Sequence, residues 1–123
     1  MPLLFNDDPI ESMETAKKII GGYMKVDSAE LAEIAQDNNI KKWSRIAAIY
    51  ALGFLGEEKF APILRNILAD VTNGVDIRSH AAEALGNIGD RDAAMLLKDI
   101  LGHAANLALR ESCQYALEEL GKP

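Results

Sequence analysis

Apolar residues recur along this chain with the 3.6-residue rhythm of helices, and the rhythm restarts. Three stretches, RIAAIYALGFLG from Arg45, RSHAAEALGNIG from Arg78 and RESCQYALEELG from Arg110, share one pattern. Arg45 to Arg78 is 33 residues and Arg78 to Arg110 is 32, a period that signals stacked supersecondary units. With each arginine counted as zero, small residues fall at +3 (Ala48, Ala81, Cys113) and at +6 (Ala51, Ala84, Ala116). Large ones fall at +7 (Leu52, Leu85, Leu117) and at +10 (Leu55, Ile88, Leu120). These offsets make one stripe of a helix. Glycine at +11 (Gly56, Gly89, Gly121) is the residue expected just past a helix end. The small residues leave room for a neighbouring helix to come close.

A second helix is predicted after each of the first two phrases. EEKFAPILRNIL aligns with DRDAAMLLKDIL, pairing Ile63 with Leu96, Leu64 with Leu97, Ile67 with Ile100 and Leu68 with Leu101. Pro62 sits early enough for the first turn to tolerate it. Upstream the phrase decays: Met13, Ala16, Ile20 and Gly21 keep the spacing of a unit starting at Ile10, with Lys17 where leucine should be. Pro9 after Asp8 suits a helix start. Ser28 is expected to cap a helix over AELAEIAQ, whose apolar side is Leu31, Ile34 and Ala35. Seven helices in about three and a half helical hairpins follow.

An arginine, then AAxALGxIGD, then a helix with paired leucines resembles the HEAT-like repeat first described in phycobilin lyases, and SHAAEALGNIGD at 79–90 is very close to that pattern. The resemblance covers roughly residues 40–121. It implies an all-α fold, a right-handed α-solenoid with first helices on the convex side and second helices lining the concave side. The expected organisation is one HEAT-like domain over 1–123. It comprises an N-terminal extension (1–8), a degenerate capping repeat (9–40), repeats at 41–74 and 75–104, and a half repeat at 105–121. The resemblance also implies a structural ladder of Arg45, Arg78 and Arg110 paired with acids of adjacent repeats, with Glu57 and Asp90 as partners. Gly53 and Gly86 at +8 suggest close packing, yet Glu118 fills that place in the last phrase.

Composition narrows the function classes. The 123 residues carry 49% apolar and 26% charged side chains, ordinary for one globular domain. No apolar run approaches the roughly 18 residues of a membrane span, and MPLLFNDDP lacks the basic leader of a signal peptide. The single cysteine, Cys113, cannot form an internal disulfide. A cytoplasmic location is the expectation. Net charge is −6, which argues against a surface selected for phosphate backbones. Residues 1–40 hold eight carboxylates against three lysines.

Chemistry is sparse. One metalloenzyme branch of the HEAT-like family, the deoxyhypusine hydroxylases, binds iron through His-Glu dipeptides. Here His80 precedes Ala81 and His103 precedes Ala104, so this reading sets that branch aside. Cys113 occupies a core-facing position, which suits a buried small residue better than a nucleophile. No catalytic, cofactor-binding or metal site is expected.

Two surfaces remain. On the helix over 41–55, Trp43, Ile46, Tyr50 and Phe54 lie on the side opposite the core stripe, where other units carry polar residues. They form a candidate protein-interaction patch, unless Leu3, Leu4 and Phe5 fold back over it. Glu30, Glu33, Arg65, Asn66, Lys98 and Asp99 form a candidate concave face. The sequence reading is therefore a non-catalytic interaction or scaffold module that binds a cytosolic protein or a second copy of itself. The alternative is a phycobilin lyase subunit or a related chromophore-protein chaperone.

Overall fold

Asp8 starts the first helix: its carboxylate accepts from the N–H groups of Ile10 and Glu11, both at 2.9 Å. Pro9 fits the first turn because that N–H would have no helical partner. The computed structural model describes residues 4–123, and among them seven α-helices follow one another with no strand. They are α1 (Pro9–Ile20), α2 (Ser28–Gln36), α3 (Lys42–Leu55), α4 (Ala61–Ala69), α5 (Val75–Ile88), α6 (Ala94–His103) and α7 (Leu107–Leu120). Short 3-10 turns, Glu58–Phe60 and Arg91–Ala93, lead into α4 and α6. The chain is an α-solenoid of three and a half units.

The first helices α1, α3, α5 and α7 stack side by side into one layer, each touching the next. The second helices behave differently. α2 seats on α3, α4 on α5 and α6 on α7, while α2 and α4 only graze one another. The apolar seam between the layers includes Leu52, Leu85, Leu64 and Leu97, all buried. Leu117 is half-buried.

The close spacing has a covalent cause. A Cβ on Gly53 would lie 2.8 Å from the Ala84 Cα, and one on Gly86 would lie 2.7 Å from the Ala116 Cα. Those separations are sub-van der Waals, so only glycine permits the approach. Glu118, at the equivalent place in α7, is exposed and meets no further helix. Position +1 lies seven residues before +8 and shares its face. Ile46 and Ser79 are accordingly buried between first helices, whereas Glu111 is exposed.

The arginine ladder exists, but its partners are carbonyls and not acids. Arg45 Nε donates to the Ala35 carbonyl at 3.0 Å, and Arg78 Nε donates to the Leu68 carbonyl at 2.8 Å. Arg110 donates to the carbonyls of Leu101 and Ala104. Each guanidinium thus meets unpaired carbonyls at the end of the preceding second helix, where the dipole also favours a cation. Arg45 is additionally held to Asn73 Oδ1 at 3.3 Å, and burial lowers its pKa from the ordinary value. Of the expected acids, Asp90 sits 2.9 Å from Arg65, and Glu57 accepts from Ser28 Oγ at 3.0 Å.

Two end signals also differ from the sequence reading. Asp27, not Ser28, caps α2, accepting from the Ala29 N–H at 2.9 Å. Gly56 and Gly89 close their helices with left-handed φ of 71° and 81°, whereas Gly121 has φ −80° and uses no such freedom. The entry to α3 is capped from afar. Asp7 Oδ1 accepts from the N–H groups of Trp43 and Ser44 at 2.9 and 3.1 Å. Asp7 adopts φ 63° to do so.

Candidate ligand groove

Tyr50 and Phe54 stand one helical turn apart on α3, and their ring centroids are 4.8 Å apart with planes inclined by 55°. Four-residue spacing puts them on one face. Across from them α5 presents His80, Glu83 and Asn87, again at helical spacing, and α7 presents Tyr115. Together these residues line a groove of about 250 Å³ on the first-helix layer. The Tyr115 hydroxyl donates to Asn87 Oδ1, which fixes that ring as the far wall. Phe54 is 51% exposed and Tyr115 37% exposed, so the aromatic walls are open to solvent.

The groove's lining holds one carboxylate, Glu83, and no lysine or arginine. Glu83 is half-buried and makes no ion pair among the described residues. Burial pushes the Tyr115 hydroxyl above its ordinary pKa, and the carboxylates of Glu119 and Glu83 push it further. Aromatic faces add the negative lobe of their quadrupoles. His80 turns its Nδ1 to the Asp76 carbonyl, 2.9 Å away.

The sequence-derived patch is thus divided by the fold. Tyr50 and Phe54 reach the groove. Trp43 is half-buried against the core, with Lys42 Nζ 5.2 Å from its ring centroid. Ile46 is 0% exposed and unavailable to any partner. α3 is apolar all round because α1, α2 and α5 surround it, which is why its side opposite the stripe looked anomalous. Phe5 is buried and Leu4 half-buried, but with Asp7 they border Ile34, Ile40 and Ser44 at the start of α3, far from the groove. Leu3 lies outside the described residues.

Glu30, Glu33, Asn66, Lys98 and Asp99 are exposed, and Arg65 is half-buried beside Asp90. They are carried by α2, α4 and α6, which touch one another little, so the six are spread along the second-helix layer. Sequence reasoning missed His80, Glu83, Asn87 and Tyr115 as groove residues. Their shared offsets of +2, +5 and +9 were the available signal.

Cys113 is fully buried and free, with its thiol pushed up to about 11 chiefly by burial. No group of three or more His, Cys, Asp or Glu able to hold a metal occurs among the described residues. His103 Nδ1 lies 2.8 Å from the Asp99 carbonyl on α6, and His80 is on α5. No helix among the described residues is long and apolar enough to cross a membrane.

Comparison with known proteins revises the functional expectation. A family model of HEAT repeats matches residues 28–118. Deoxyhypusine hydroxylase of Candida glabrata is 37% identical over 71 residues, spanning 58% of this chain and 22% of that protein. The Saccharomyces cerevisiae enzyme of the same name is 34% identical over 71 residues, with the same two shares of 58% and 22%. Human deoxyhypusine hydroxylase, solved with glycerol, superposes with a TM-score of 0.72 at 26% identity, covering 95% of this chain and 40% of that one. The chain thus spans less than a quarter of the curated relatives it matches.

These relatives are enzymes, so the non-catalytic scaffold reading is overturned, and so is the phycobilin lyase alternative. Setting aside the hydroxylase branch for want of a His-Glu dipeptide was also wrong as a test of kinship. It used ligand residues, whereas kinship is carried by the repeat framework. The missing dipeptide does bear on chemistry. Iron held on His-Glu pairs does not fit the described residues, because the two histidines are separate, exposed or half-buried, and without a carboxylate cluster.

Proposed function

The chain belongs to the HEAT-repeat family, and from that premise we propose that it works in the hydroxylation of deoxyhypusine, a lysine side chain lengthened by an aminobutyl arm. The observation that carries this reading is the superposition on human deoxyhypusine hydroxylase along nearly the whole chain. The acidic balance of −6 supports it, since the substrate side chain is a flexible cation. The described residues lack a metal-holding cluster, so the part assigned to this chain is recognition and holding of that side chain. The same reading puts the chain in the cytosol, where a lone unpaired cysteine is at home.

The test is dependence. Extracts of the host organism are given a deoxyhypusine-bearing peptide, and the product is followed by mass spectrometry for one added oxygen atom. Removing the chain should abolish conversion, and adding back the purified protein should restore it. Conversion that continues unchanged without the chain overturns the reading.

A further inference from the structure

We propose that the groove between Tyr50, Phe54, Glu83 and Tyr115 is a binding site for an alkylammonium group at the end of a linear carbon chain. Three aromatic rings, from α3 and α7, form walls around a space of about 250 Å³. That is room for an ammonium and a few methylenes, not for a folded peptide segment. The one carboxylate among its lining residues, Glu83, has no cationic partner among the described residues. Rings of this kind attract cations through their faces, and a carboxylate beside them supplies the counter-charge and a hydrogen-bond acceptor.

The alternatives are weaker on the same observations. An anion would face Glu83 and the ring faces with no lysine or arginine in the lining. A neutral apolar ligand would leave the Glu83 carboxylate desolvated without compensation. The Tyr115 hydroxyl, turned toward Asn87, leaves its ring and not its donor facing the space. Of the two acids near that hydroxyl, Glu119 is already paired with Lys122 at 2.7 Å, which leaves Glu83 as the carboxylate open to a cation.

The groove repeats one register across units, which explains why it sits here. Offset +5 places Tyr50, Glu83 and Tyr115 in line along the first-helix layer, and offset +9 adds Phe54 and Asn87. An aromatic–acid–aromatic row follows directly from the 33- and 32-residue repeat. Taking deoxyhypusine as the substrate supplies the reason to expect a primary amine on a flexible arm, and to that extent the assignment rests on the proposed function.

The experiment is isothermal titration calorimetry of the intact chain with putrescine and spermidine, with the carbon-matched uncharged diol as comparison. Tyrosine ring resonances are followed in parallel. The amines should bind and shift the Tyr50 and Tyr115 signals, and the diol should not. Glu83→Gln, which keeps the size and removes the charge, should weaken binding about tenfold, and Tyr50→Leu with Phe54→Leu by a similar factor. Circular dichroism and Tm confirm that each variant is folded. Should the double variant fail to fold, Glu83→Gln alone decides.

Absence of amine binding overturns the assignment, and so does binding that Glu83→Gln leaves unchanged, which would mean diffuse attraction to an acidic surface. The two readings separate cleanly. If the amines do not bind but hydroxylation still depends on the chain, the groove alone is wrong. If the amines bind but hydroxylation is independent of the chain, only the proposed reaction falls.

Discussion

Cys113 shows how one buried side chain sets a measurable pH response. Its thiol is held at about 11 against an ordinary 9.0, so the folded chain keeps the proton more tightly than the unfolded chain. A raised folded pKa contributes stability in full below about 9 and loses it as pH rises toward 11. Denaturation followed across that window should show ΔG falling by up to about 3 kcal/mol, and Cys113→Ser should flatten the fall. Iodoacetamide should label Cys113 only after unfolding. At this scale the sequence was legible for Cys113, whose core-facing offset announced burial. It was not legible for Asp7, which caps a helix 36 residues away. Nor was it for Arg45, Arg78 and Arg110, whose partners are main-chain carbonyls that no side-chain pattern encodes.

The elements were legible where a stripe repeats and illegible where a face depends on its neighbour. Offsets +3, +6, +7 and +10 identified α3, α5 and α7, because a buried stripe leaves its mark whatever lies beyond it. Offsets +1 and +8 point at the next first helix, so their chemistry changes with position in the stack. That is why Ile46 resembled an exposed anomaly and why Glu118 seemed to make glycine optional. A pair of substitutions tests the point. Gly86→Ala gains about 1 kcal/mol of helix propensity but pushes a methyl into the Ala116 backbone, which costs about 1–3 kcal/mol. The net result should be a Tm lower by several degrees. Glu118→Ala, at the same offset on an open face, should leave Tm unchanged or slightly raised. Differential scanning calorimetry of the two variants checks both.

In the whole molecule, coupling runs from each first helix to the next, and each second helix is fastened by the unit that follows it. Stability in such a stack is a sum of unit and interface terms, so the helices with a neighbour on each side are the hardest to open. Native-state hydrogen exchange should find the slowest amides in α3 and α5. Those of α1 and the exposed face of α7 should exchange sooner. Uniform protection across all seven helices would contradict this picture. The groove could not be assembled from any one phrase, because its walls come from three helices and only the stacking order brings them together.

The notch that Gly53 offers Ala84, and Gly86 offers Ala116, gives the stack a direction, like bricks keyed on one side only. An extra unit copied from residues 75–104 should fit between the existing ones, since every joint would still mate a notch with a methyl. Appended after α7 it would meet a glutamate where the keyway should be. Lengthening this array at that end therefore takes a change at position 118 before any new helix can seat.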